Sequence, residues 1–103
     1  MIARIWEGRV PAVKAEDYIE LMRSVAIRDY RSTHGNISAW CLHREEAGTV
    51  VVQMLTFWND LQSIQKFAGK DVTRARYYDF DAEYLIDRPL YVQHFDAVAA
   101  KDA

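Results

Sequence analysis

Tyr77 and Tyr78 stand side by side just after Arg74 and Arg76. Two phenols next to two guanidiniums could hydrogen-bond an oxygen of a substrate, or anchor the chain around them. Trp58 precedes the polar pair Asn59-Asp60, where a large ring either walls a pocket or fills a core. His43, flanked by Arg44 and Glu45, reads as an exposed strand residue, and His94 as a packed ring with its hydrogen bonds met rather than a proton shuttle. The single cysteine, Cys41, excludes an intrachain disulfide and a cysteine-based zinc site, and reads as a small apolar core residue. Other chemistries fail on spacing. Gly8, Gly35, Gly48 and Gly69 are too far apart for a dinucleotide fingerprint or a P-loop, His34, His43 and His94 form no H-E-x-x-H helix, and no G-x-S-x-G elbow is present. The run Asp79-x-Asp81-x-Glu83 starts like a calcium loop, but Tyr84 stands where its glycine belongs and Leu90 where its bidentate glutamate belongs. It reads as a solvated acidic loop, and no metal site is expected. A net charge of −2 and a basic cluster no larger than Arg74 with Arg76 argue against nucleic acid or an anionic membrane as a partner.

The elements that must position these groups follow from periodicity. Residues 2–10 alternate in polarity and meet Pro11, which ends a strand. From Lys14 to about Tyr30 the apolar positions Tyr18, Ile19, Met22, Val25 and Ala26 recur at helical spacing, and the polar run 31–36 stops the helix. Residues 37–45 and 49–58 are β-rich runs around Ala47-Gly48, which reads as a hairpin with Glu45 and Glu46 at the bend. Asn59, with Gln62 three positions on, is expected to cap a helix over 60–68, with Gly69 at its end and a short turn from Asp71 through Arg76. An aromatic and acidic segment follows with its own anchors, then Pro89 opens a last strand over 90–96. The order βαββαβ predicts an α+β, ferredoxin-like domain with a four-stranded antiparallel sheet over residues 1–97, and a frayed tail over 98–103. The longest uncharged stretch, Ala47 to Asn59, is too short to span a bilayer, and the charged start is unlike a secretory leader, so a cytoplasmic location is expected.

The strands are apolar on both faces. On 49–58 one parity carries Val50, Val52, Met54 and Trp58, and the other Val51, Leu55 and Phe57; on 37–43 Ile37, Ala39 and Cys41 oppose Trp40 and Leu42. Two helices cover one face of four strands, so the other calls for a second copy or for a loop such as 70–88 folded over it. An isologous homodimer through the sheet face is expected.

The segment Leu55-Thr56-Phe57-Trp58-Asn59-Asp60-Leu61, with Phe67 and the run Arg74-Ala75-Arg76-Tyr77-Tyr78 downstream, resembles the antibiotic biosynthesis monooxygenase family. The resemblance implies a dimeric α/β barrel, two ferredoxin-like subunits facing through their sheets, each with a pocket between helices and sheet. It also implies chemistry: cofactor-independent oxidation of aromatic polyketides, or oxidative opening of haem. The haem-degrading branch keeps an Asn, a Trp and a ligating His where this chain has Glu7, Phe67 and Tyr77, so none of the three is retained. Tyr77 could meet haem iron only as a phenolate, with Arg74 and Arg76 as the cations to lower its pKa.

On that resemblance the parity of Ile5 and Glu7 faces the pocket, where a buried Glu7 would serve as a base, or else form a rim salt bridge with an Arg. The expected activity is oxygenation of a small electron-rich aromatic or polyketide-like molecule without metal, flavin or other cofactor. Glu7 and Tyr77 are the expected catalytic groups. Trp58 and Phe67 would stack the ring and exclude water, and Tyr78 and Arg76 would bind its oxygens. The alternative is a non-catalytic dimer that holds a small apolar ligand, or whose pocket is plugged by Phe67 and Tyr84.

Overall fold

A computed structural model describes residues 1–101; the last two residues of the expected tail, 102–103, lie outside them. Strand β1 (Ile2–Pro11) pairs antiparallel with β3 (Thr49–Trp58) from Ile2↔Trp58 to Pro11↔Thr49, and β2 (Asn36–Glu46) pairs with the other edge of β3. With β4 (Gln93–Asp96) beside β1, the sheet order is β2-β3-β1-β4, the expected ferredoxin-like topology. The β2–β3 hairpin turns on Ala47 and Gly48, both in the left-handed region (φ 48° and 84°), which is the geometry of a two-residue type I′ turn.

Helices α1 (Ala15–Leu21) and α2 (Ile27–Ser32) are joined by a π-helical turn, Met22–Ala26. Tyr18, Met22, Ala26 and Tyr30 are buried at strict four-residue spacing. Such a row drifts by about 40° per step around a regular α-helix, and the wider π turn takes up that drift. Val25, expected on the same face, therefore turns outward and is exposed.

Helix α3 (Leu61–Ala68) is capped by Asp60, not by Asn59: Asp60 Oδ1 accepts from Ser63 N at 2.8 Å and from Ser63 Oγ at 2.7 Å. Gly69 ends it at φ 92°. Gly35 (φ 95°) brings the turn after α2 against this cap, and a Cβ there would lie 1.9 Å from Ser63 Oγ. After α3 the chain runs irregularly to a single helical turn, α4 (Asp81–Tyr84).

The last strand is shorter than expected. Ala75 N donates to Leu90 O and Val92 N to Thr73 O, both at 2.8 Å, so residues 90–92 pair with 73–75 and only 93–96 reach β1.

The core lies between one sheet face (Trp6, Val10, Val52, Met54, Trp58) and the helices (Tyr18, Met22, Tyr30, Ile64, Phe67). The opposite face carries Ile5, Leu55 and Phe57 beside Trp40, Leu42 and Phe95, of which Trp40 is 57% and Phe95 51% exposed. The sheet is thus apolar front and back, as its strands imply. Among the described residues no helix is long and apolar enough to cross a membrane.

Candidate functional site

Four elements bring polar groups to the layer between helices and sheet. Strand β1 contributes Arg4 and Trp6 on its inward parity, α1 contributes Tyr18, α2 contributes Asp29 and Tyr30, and the segment 76–81 contributes Arg76, Tyr78 and Asp81. Asp81 is buried. Its Oδ1 accepts from Tyr18 Oη and its Oδ2 from Tyr78 N, both at 2.7 Å, so one carboxylate ties the segment to α1. Asp29 Oδ2 accepts from Tyr78 Oη at 2.7 Å and pairs with Arg76 Nη1 at 2.9 Å, tying the segment to α2. The Arg76 guanidinium lies 4.6 Å from the Phe67 ring centroid, and Phe67 stacks on Tyr30 at 4.3 Å.

A slot of about 20 Å³ remains between these groups, room for about one water molecule. All its lining residues are buried except Arg76 and Tyr78, which therefore mark its mouth. Burial is the leading cause of every shifted group here. It pushes Tyr30 up to about 12, and raises Tyr18 and Tyr78, whose bonds to Asp81 and Asp29 reinforce it. All three phenols are proton-bearing donors at neutral pH.

Arg4 is only 3% exposed, and burial lowers its pKa. Its guanidinium donates to Val72 O (2.7 Å) and Arg74 O (3.1 Å) and meets His94 Nε2 at 3.5 Å. Since Arg has no acceptor, His94 Nε2 takes that role with the proton on Nδ1. Burial, then Arg4, lower the His94 pKa. The unfolded chain therefore binds the proton more readily, and stability falls as pH drops through the ordinary histidine value of 6.5 toward the folded value. Thermal melts between pH 8 and pH 5 are expected to show this loss, and His94→Gln should flatten it; an unchanged slope in the variant would assign it to other groups.

No family model matches the sequence, and no curated protein does. Solved structures do. A Nitrosomonas europaea protein named "Putative antibiotic biosynthesis monooxygenase" superposes with a TM-score of 0.71 at 16% identity, over 96% of this chain and 100% of that one. Rv0793 from Mycobacterium tuberculosis superposes with a TM-score of 0.57, also at 16% identity, over 98% and 99% of the two chains. The chain shares the fold of these proteins. The resemblance carried by the strand-Trp-helix junction is thus a likeness of the whole fold.

Within that fold the expected site residues separate. Arg76 and Tyr78 line the slot. Phe67 and Trp58 stand one layer behind it, around Tyr30; Trp58 is fully buried, donates from Nε1 to Thr56 Oγ1 at 2.8 Å, and fills the core. Tyr77 lies outside the slot, accepting from Trp6 Nε1 at 3.2 Å and donating to Pro89 O. Both hydrogen-bonding roles of its hydroxyl are filled. Burial raises its pKa, the opposite of what a haem-ligating phenolate needs, and the slot is far too small for a porphyrin.

Glu7 is not in the slot either. Register with Gln53 places it on the opposite sheet face, exposed, with Oε1 accepting from Gln53 Nε2 at 2.9 Å, beside a shallow depression of about 220 Å³ next to Leu42 and Arg44. The inward parity of β1 is that of Trp6, Gly8 and Val10. His43 is exposed, and Cys41 is half-buried with its thiol pushed up to about 11 by burial.

Among the charged and phenolic residues that line the slot, four escaped the sequence reading. Arg4 was visible as a charge on the parity of Ile2, Trp6 and Val10, whereas Tyr18 and Tyr30 read as ordinary helix-face aromatics. Asp81 belongs to a run that reads as solvated, yet it is 3% exposed because α4 turns it inward onto Tyr18.

Proposed function

We propose that the protein is a homodimeric, cofactor-independent monooxygenase for a small electron-rich aromatic or polyketide-like substrate, bound at the mouth of the slot. The observation that carries this reading is the triad Arg76–Asp29–Tyr78. Asp29 joins a cation and a phenol donor, Arg76 at 2.9 Å and Tyr78 at 2.7 Å, and these two are the residues lining the slot that are not buried. The overall likeness to a protein named as a monooxygenase supports it.

In this reaction an acidic methylene of the substrate loses a proton, and the carbanion reduces dioxygen: CH2 + O2 gives C=O + H2O, with all electrons supplied by the substrate. Arg76 stabilises the charge that develops on the substrate's oxygen. Asp29, in place of the expected Glu7, takes the proton, and Tyr78 orients the carboxylate. Trp6, Tyr78 and Phe80 keep water from the carbanion. Bulk substrate requires the 76–81 segment to move off the mouth, since the closed slot holds no ring. Oxygen uptake with polyphenolic ketones bearing an activated methylene is the test. Removing one such charge-stabilising donor typically costs 10²–10³ in rate, about 3–4 kcal/mol, so Arg76→Met should lower uptake about a hundredfold. Uptake that Arg76→Met leaves unchanged sinks the assignment.

A second reading is favoured by one observation. Phe67 and Tyr84 both pack inward, and the closed slot has about 20 Å³, which suits a dimeric scaffold or a binding protein for a small ligand without turnover. Absence of oxygen uptake with the whole substrate panel selects it.

A further inference from the structure

Tyr30 is 7% exposed and wedged between aromatic rings, stacked on Phe67 at 4.3 Å and edge-on to Trp58 at 6.3 Å. The other phenols around it have partners: Tyr18 donates to Asp81, Tyr78 to Asp29 and Tyr77 to Pro89. Tyr30 Oη has no hydrogen-bond partner among the described residues, which nevertheless contain no fully enclosed side-chain polar atom left unpaired. The hydroxyl therefore opens onto the free space of the slot that Tyr30 lines. A buried donor facing open space is a donor waiting for an acceptor.

The charges around it say which acceptor. Arg4, also lining the slot, is held by two backbone carbonyls and a neutral histidine, with no carboxylate against it. A buried guanidinium without a counter-ion carries an uncompensated charge. Arg76 adds a second cation. The two nearby carboxylates are engaged, Asp29 by Arg76 and Tyr78, Asp81 by Tyr18 and the Tyr78 amide. At the Tyr30 hydroxyl the influence of Arg4 and Arg76 exceeds that of Asp29 and Asp81, while burial keeps the proton on the oxygen. An acceptor there meets an O–H that stays a donor and, in Arg4, a guanidinium with no carboxylate against it. The space is oxygen-sized and walled by Trp6, Met22 and Met54, which fits a single oxygen atom and not a tetrahedral phosphate with its several acceptors.

We propose that the slot is an anion site in which Tyr30 Oη, with Arg4 and Arg76, receives the oxygen of a carbon-based oxyanion, a phenolate or enolate whose ring lies toward the mouth at Tyr78. The proposal deepens the oxygenase reading by naming the charge of the ligand and the residue that meets it; it rests on that reading for the place of the site but not for turnover.

The test uses the full chain and 4-nitrophenol, whose phenol and phenolate forms absorb at different wavelengths. Wild type should bind the dye as phenolate at a pH where free dye is largely protonated. Tyr30→Phe keeps the packed ring and should weaken the phenolate about tenfold, the loss of one hydrogen bond to a charged group. Arg76→Met should weaken it as well and return the bound dye toward its phenol form. Arg4 is left in place, because its removal would strand the Val72 and Arg74 carbonyls. The proposal is overturned if millimolar dye fails to bind, binds as the neutral phenol, or binds equally to wild type and Tyr30→Phe. Oxygen uptake by the same protein preparations with the polyphenolic ketones separates the two claims: phenolate binding that depends on Tyr30 without any uptake across that panel keeps the anion site and removes the oxygenase, whereas uptake in wild type with dye binding indifferent to Tyr30 does the reverse.

Discussion

Asp81→Ala should destabilise the protein by about 3 kcal/mol, the usual size for removing a buried charge on which other buried groups depend. The carboxylate is 3% exposed and accepts the Tyr18 hydroxyl and the Tyr78 amide, both at 2.7 Å. Truncation leaves both donors unpartnered within the core, and water reaches them only if the 76–81 segment lifts. For a chain of this size that loss corresponds to a fall in Tm of about 10–20 °C, readable by circular dichroism. Asp81→Asn should fall between, since its Oδ1 still accepts from Tyr18 while its NH2 opposes the Tyr78 N–H. Tyr18→Phe removes one of the two donors. Combined with Asp81→Ala it should cost less than the sum of the single changes, because the stranded Tyr18 hydroxyl is then gone. A melt of Asp81→Ala within about 3 °C of wild type would mean that the segment is held by its aromatic packing alone, by Tyr78 on Phe80 and Tyr84 on Tyr18.

The sheet was legible because its strands are unbroken β-branched and aromatic runs, and the βαββαβ order leaves few topologies. The misread boundaries each turn on a choice between near equals. Asn59 and Asp60 are both good capping residues, and Ser63 decides between them by offering its amide and its hydroxyl to Asp60. Leu90, Tyr91 and Val92 have strand composition, but 73–75 competes with β1 for them, a contest invisible to local propensity. The face taken by Glu7 was hidden for a deeper reason. Alternation tells which residues share a face, and it tells which face is inward only when one parity is polar. In β1, Ala3 and Ile5 make the parity of Glu7 as apolar as that of Trp6 and Val10. The two-sidedness that points to a second copy thus conceals where the pocket lies. Arg4 and Asp81 escaped because burial of a charge depends on partners brought from 60 or more residues away, Val72 and Arg74 for one and Tyr18 for the other.

The same two-sidedness carries the other large effect. Trp40 lies on the open sheet face, 57% exposed, beside Leu55 on β3 and near Leu42. Wild type is expected to scatter light as a particle of about 24 kDa, twice the 12.0 kDa chain, at micromolar concentration. In an isologous interface a substitution enters twice, so Trp40→Glu deletes two large apolar contacts and places two carboxylates against a desolvated face. Each such ion costs several kcal/mol when it finds no partner. Even about 4 kcal/mol in all raises Kd about a thousandfold, which leaves a 12.0 kDa monomer under the same conditions. Trp40 contributes little to the protomer core, so the far-ultraviolet spectrum should be retained. Leu61→Glu, on the outer side of α3 and 48% exposed, carries the same change in charge away from that face and should leave the dimer intact. If wild type itself scatters as a single chain, the open face has another cover, and the dimeric barrel implied by the family resemblance is abandoned. If Leu61→Glu dissociates the particle while Trp40→Glu does not, the copies meet through their helices instead.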